Sequence, residues 1–114
     1  MPITGSNAHI GKSIIKATRM AINKINYPNL IIVPKDTSSN PKQTLLSANE
    51  FKDEGINIVI GPVFQDNLIF LDKLNEMTLL SLRNKNYKNP KNIISLGINA
   101  ESQINSINNF LKNE

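Results

Sequence analysis

The chain has 114 residues, enough for one domain with its own core, and carries a net charge of +4 from 13 basic and 9 acidic residues. It has no cysteine, which excludes disulfides, thiolate metal sites and cysteine nucleophiles, and no run long and apolar enough to span a membrane. Its eleven lysines and two arginines are spread along the chain beside only four Phe, two Tyr and no Trp, whereas a nucleic-acid surface needs clustered cations interleaved with rings, so no nucleic-acid partner is expected.

Met1 to Gly5 has no basic region leading into a hydrophobic stretch, so no signal peptide is expected in this sequence. A polar turn at Gly5-Ser6-Asn7 precedes a first helix, Ala8 to Ile25. Ile10, Ile14, Ile15, Ala17, Ala21, Ile22 and Ile25 form a stripe at helical spacing, with Lys12, Lys16, Arg19 and Lys24 mostly on the wet side. Asn26-Tyr27-Pro28-Asn29 breaks this helix.

The next stretch, Leu30 to Pro62, reads as strand, helix and strand. The apolar run Leu30 to Val33 is the first strand. Asn40 caps a second helix, Pro41 to Glu54, with Pro41 at the first helical position, where no N–H is needed. Leu45, Ala48 and Phe51 face inward, Leu46 flanks them, and Gly55 closes the helix. Ile56 to Ile60 is the second strand, ending at Gly61-Pro62. Two such strands joined by a helix predict a right-handed crossover in a parallel sheet.

Further along, a third helix is expected over Gln65 to Asn75, a third strand over Thr78 to Leu82, a loop over Arg83 to Asn92 and a fourth strand over Ile93 to Leu96. A last helix, Ala100 to Lys112, turns Ile104, Ile107, Phe110 and Leu111 inward. Strands rich in Ile and Val on both faces suit a sheet covered by helices on each side. The expected fold is a single α/β domain over residues 1–114, a three-layer α/β/α sandwich with a mostly parallel sheet. It is unusual in opening with the loop that should follow a strand.

In a parallel sheet, loops at the carboxyl ends of the strands gather on one rim, where free helix N–H groups suit an anionic or zwitterionic ligand. Here those loops are Ile3 to Asn7, Lys35 to Asn40, Gly61 to Asp66 and Arg83 to Asn92. Gly5 to Ser13 fails the phosphate-loop template, because five residues rather than four separate Gly5 from Gly11-Lys12-Ser13 and no buried strand precedes it. His9 is the only histidine, so no metal site or nucleophile-base pair can be assembled around it; no metal, cofactor or enzymatic activity is expected. Asp36 either holds a ligand hydroxyl or caps its own turn. Gly61 permits close backbone approach at a strand end. Phe64 is either covered by a ligand or facing lobe, or buried beneath the following helix. Arg83 and Asn84 sit at the same rim, as ligand groups or as a solvated loop.

Several segments together carry a family resemblance: Pro2-Ile3-Thr4-Gly5-Ser6-Asn7-Ala8 with Ile10-Gly11, Pro34-Lys35-Asp36-Thr37, Asn40-Pro41, Gly55 with Ile60-Gly61-Pro62-Val63-Phe64, and Leu96-Gly97-Ile98-Asn99. In this order and spacing the chain resembles the first lobe of a type I periplasmic binding protein, the superfamily of branched-chain amino-acid receptors, and within it the penicillin-binding-protein activator branch. The resemblance implies a ligand between two lobes and a periplasmic location in the bacterial envelope. It also implies that the lobe's first strand is missing or truncated here. Val63-Phe64-Gln65 stand where amino-acid receptors often carry small hydroxyl residues.

The expected function is a non-enzymatic small-molecule-binding module with a half-cleft lined by Ser6, Asn7, Asp36, Phe64, Gln65, Arg83 and Asn84, taking an amino acid or similar anionic or zwitterionic compound. The alternative is a protein-interaction domain of the activator type, acting on cell-wall synthesis enzymes, with Phe64 and the Lys85 to Lys91 loop as contact surface. In the family's order the absent strand lies between Leu30–Val33 and Ile56–Ile60. Its loss predicts either direct pairing of those two strands or a homodimer that repairs the gap.

Overall fold

A computed structural model describes residues 1–83, 90–97 and 100–113. Helix α1 runs from Ala8 to Ile25 and α2 from Pro41 to Asp53. Strand β1 follows at Ile58–Ile60, then two short 3-10 turns at Gln65–Leu68 and Leu71–Lys73. Strands β2 (Thr78–Ser81) and β3 (Ile93–Ser95) and helix α3 (Ala100–Lys112) complete the order.

The ends of the helices have local causes. Asn26 takes a left-handed conformation (φ 54°) and its N–H returns to the Ile22 carbonyl, which stops α1. The Asn40 side chain accepts from Lys42 N at 2.9 Å and Gln43 N at 3.2 Å, satisfying two of the N–H groups that α2 leaves without helical partners. Gly55, at φ +75°, supplies the positive backbone angle that ends α2.

The sheet is parallel throughout, in the order β1-β2-β3, with Val59 opposite Leu79 and Leu80 opposite Ile94. Side chains alternate across it. One face carries Val59, Leu79 and Ile93 against Ala48 of α2 and against Leu68 and Leu71 of the turns, with Leu45 and Leu74 packed around them. Leu71 and Leu79 are each only 1% exposed and form the centre of the core. The other face carries Ile58, Ile60 and Ile94, all exposed.

Three expectations are corrected. Leu30 to Val33 forms no strand. Leu30, Ile31 and Val33 are exposed, and none of the backbone hydrogen bonds among the described residues involves Ile31, Ile32 or Val33. The direct pairing expected between this segment and Ile56–Ile60 is therefore absent. A strand exists only beside a neighbour, and neither segment has one on the facing side. Second, Gln65 to Asn75 is two 3-10 turns rather than a helix. Asp66, Asn67 and Asp72 are weak helix formers, and Asn67 is buried at 2% exposure, so tertiary packing dictates the local path. Third, Ile104, Ile107, Phe110 and Leu111 of α3 do not face a core: each is more than half exposed.

Helix α1 docks differently from the stripe prediction. Its buried residue is Gly11, which lies against the Pro2 carbonyl. Ile10, Ile14, Ile15 and Ile22 are only half-buried. Pro2 itself is fully buried, so the first residues anchor α1.

Candidate functional site

The carboxyl ends of the three strands are stitched into a common rim. The Leu96 N–H donates to the Ser81 carbonyl at 2.8 Å and the Gly97 N–H to the Arg83 carbonyl at 2.9 Å. The fully buried Ser81 hydroxyl donates to the Pro62 carbonyl at 3.3 Å, and the Gly61 N–H donates to the Leu80 carbonyl at 2.8 Å. Gly61 has φ +126°, a conformation open to glycine, and is followed by a cis peptide bond to Pro62. The turn that carries Phe64 and Gln65 is thus held against the β2 end.

A second cluster centres on Asp36. Its Oδ1 accepts from Ile3 N at 2.8 Å, Thr4 N at 3.3 Å and Ser38 N at 2.9 Å; its Oδ2 accepts from the Thr4 and Ser38 hydroxyls. Burial pushes this carboxyl up, but the hydrogen bonds from Thr4, Ile3 and Ser38 outweigh it and hold the group well below the usual carboxylate range. Asn7 Nδ2 donates to Ser39 Oγ at 3.1 Å, and the Ser47 hydroxyl of α2 donates to the Asp36 carbonyl at 3.1 Å. The loop before α1 and the loop before α2 are therefore locked together through one charged hub.

Met1 links this hub to the strand ends. Its ammonium donates to the Lys35 carbonyl at 3.1 Å and its carbonyl accepts from Thr37 N at 2.9 Å, a parallel-type bridge. Its side chain reaches Gly61, with Cε 3.7 Å from where a Cβ would stand. Lys35 Nζ lies 2.7 Å from both Glu50 and Glu54 and 5.3 Å from the centre of the Phe51 ring; its pKa is raised by the bonds to those two carboxylates.

The seven expected site residues divide as follows. Asp36 spends both oxygens on its own loops, as the turn-capping alternative anticipates. Ser6 and Gln65 are exposed, Asn7 and Phe64 are half-buried, and Arg83 is half-buried at the β2 end. Asn84 lies outside the described residues, as does most of the Lys85 to Lys91 loop. None of the six described ones lines the small cavity of about 30 Å³ beneath Met1, nor the groove of about 370 Å³ that runs beside α1 past Lys12, Lys16 and Arg19.

Sequence reasoning missed the partners that organise the rim: Met1, Thr4, Ser38, Ser39 and Ser81. A hydroxyl inside the apolar run Thr78 to Leu82 was the available signal for Ser81. Thr37 adds a buried hydroxyl that has no hydrogen-bond partner among the described residues. Among those residues no three His, Cys, Asp or Glu side chains are grouped to hold a metal ion, and no helix is long and apolar enough to cross a membrane.

No protein-family profile matches the chain, and no solved structure matches it. Among curated proteins it is similar to the Leu/Ile/Val-binding protein homolog 1 of Brucella abortus, Brucella suis and Brucella melitensis. Each is 37% identical over 67 residues, a stretch covering 54% of this chain and 18% of the relative. The chain thus spans less than a fifth of the length of the relatives it matches. Over about half of its own length, this α/β chain is related in sequence to proteins named as homologs of Leu/Ile/Val-binding proteins.

Proposed function

We propose that the chain is a non-enzymatic small-molecule-binding module of the type I periplasmic-binding-protein kind, using its strand-end rim as half of a ligand cleft. The observation that carries this reading is the sequence likeness to Leu/Ile/Val-binding protein homologs on a chain whose sheet is parallel and whose strand ends meet at one rim. Ligands of open parallel sheets sit in the crevice outside the carboxyl ends of the strands. The ligand class is an amino acid or a similar zwitterion, and the setting is the bacterial periplasm.

In this reading Ser6, Asn7 and the backbone at Phe64-Gln65 donate hydrogen bonds to the ligand carboxylate, and Phe64 packs on its apolar part. Arg83 borders the same half-cleft. Asp36 contributes as the hub that fixes the Ser6-Asn7 loop. One lobe encloses only part of a ligand, so affinity in the millimolar range, about −4 kcal/mol, is the natural scale. Calorimetry with leucine, isoleucine and valine tests the reading. Saturable binding that the Phe64→Ala/Gln65→Ala double variant weakens about tenfold supports it; absence of binding, or an unchanged affinity in the variant, counts against it.

A second reading is a protein-interaction domain of the penicillin-binding-protein activator type, working on cell-wall synthesis enzymes. What favours it is the exposed apolar face of α3, where Ile104, Ile107, Phe110 and Leu111 offer a ridge suited to a partner's groove. A thermal-shift screen separates the two: a ligand that binds the folded state raises Tm with concentration, whereas an interaction domain leaves it unmoved.

A further inference from the structure

Helix α1 carries an inference about a second site, away from the strand-end rim. Its 18 residues include Lys12, Lys16, Arg19 and Lys24 but no Asp or Glu. Lys12, Lys16 and Arg19 follow at i, i+4 and i+7, so they share one line along the helix, with about 10 Å of axis between the first and the last. All three are exposed, and none of the ion pairs among the described residues includes them. The line faces the groove of about 370 Å³ beside α1. Ile15 and Met20 flank it on the helix, Ile3 and Pro34 form the opposite wall, and no acidic side chain lines the space. Two contacts set the walls. Gly11 packs against the Pro2 carbonyl, which places α1, and the Ile3 N–H donates to Asp36 at 2.8 Å, which holds Ile3 to the loop after Pro34. Met1 lines the smaller cavity and no part of this groove.

We propose that this groove binds an aliphatic carboxylate, a small anion with an unbranched apolar tail. The carboxylate lies at Lys16, with Lys12 and Arg19 one turn to either side, where charge-assisted hydrogen bonds form without competition from a neighbouring acid. The tail runs between Ile15 and Met20 on one side and Ile3 and Pro34 on the other, and the alkyl stems of the lysines add to its cover. Size favours a small molecule. The volume falls in the range of roughly 300–1,000 Å³ typical of small-ligand sites. A cavity of about 150 Å³ takes benzene, so this one has room for a tail of about eight carbons and its head. One turn of a partner's helix, about 10 Å across and 5.4 Å long, already exceeds the space. The site shares no residue with the proposed half-cleft, so it stands whether or not the rim takes an amino acid.

Titration of the 15N-labelled chain with octanoate, followed by two-dimensional NMR, should give saturable shifts from Lys12 to Asn23 and at Ile3. Acetate, the same head without a tail, and octylamine, the same tail with a cationic head, should leave those resonances unmoved at equal concentration. The Lys16→Gln/Arg19→Gln double variant should bind octanoate about tenfold more weakly or worse, whereas Lys16→Arg should retain binding. Met20→Ser, which trims the tail's contact, should weaken octanoate by about threefold or more. These side chains are exposed, so the circular dichroism of each variant should match that of the natural chain. Should the double variant fail to fold, the comparison of the three probes on the natural chain decides the matter. Unmoved groove resonances with octanoate, equal shifts with acetate or octylamine, or an affinity indifferent to the loss of both cations would overturn the proposal.

Discussion

Gly11 is the point where α1 meets the N-terminal segment, and replacing it with alanine sets two effects against each other. In an isolated helix the change is favourable by about 1 kcal/mol, since alanine loses less backbone entropy than glycine. Here the added Cβ would stand 1.9 Å from the Pro2 carbonyl oxygen and 2.7 Å from its carbon. Real Cβ atoms do not come within 3.0 Å of such atoms, so helix and segment must separate by more than 1 Å. Both clashing atoms are backbone and Pro2 is fully buried, so no side-chain rotation relieves the contact. Overpacking of this kind costs up to about 3 kcal/mol, and losing the α1 anchor adds to it, so Gly11→Ala should destabilise the chain by a net ~2 kcal/mol or more. For a domain of about 100 residues that is a fall in Tm of roughly 8–16 °C. Gly5→Ala is the control. Gly5 sits at φ +79° and an added Cβ there would have nothing within 4 Å, so the variant should lose only the ~1 kcal/mol of left-handed strain. Thermal and urea unfolding followed by circular dichroism measure both. A Gly11→Ala chain as stable as the natural one, or more so, would refute the contact between α1 and Pro2.

Asn40→Ala removes the side chain that caps two N–H groups of α2 and should cost about 1 kcal/mol in urea unfolding, whereas Asn40→Asp should recover most of it. The Asp36 carboxyl has a folded pKa below its unfolded value of about 3.9, so the stability it contributes is present above that pH and is lost as pH falls through the folded pKa. Acid titration of the unfolding midpoint should therefore show a decline below about pH 4 that is reduced in Asp36→Asn. Leu79→Ala, at the centre of β2 and 1% exposed, should cost about 3 kcal/mol by leaving a cavity against Ala48, Leu71 and Ile93.

The parts legible in the sequence were those with local causes. The bounds of α1 and α3 match the expected Ala8 to Ile25 and Ala100 to Lys112, and Asn40-Pro41 and Gly55 mark the ends of α2 because caps act within a few residues. Parallel pairing of β1, β2 and β3 also follows from their spacing and their short apolar runs. The rest depends on distant partners. Leu30 to Val33 has the composition of a strand, but composition supplies no neighbour. Helical spacing in α3 shows an apolar stripe without showing what covers it. Asp36 could be read as a ligand group or a turn cap, and only the approach of Ile3 and Thr4, more than thirty residues away, reveals where its oxygens point.

The rim itself is tested most directly by two-dimensional 15N NMR of the labelled chain titrated with leucine. The account predicts saturable shifts gathered at Ser6, Asn7, Phe64, Gln65 and Arg83, with Thr37 following as the loops around Asp36 adjust. Unmoved resonances at millimolar leucine, or shifts confined to the groove beside α1 at Lys12, Lys16 and Arg19, would contradict it.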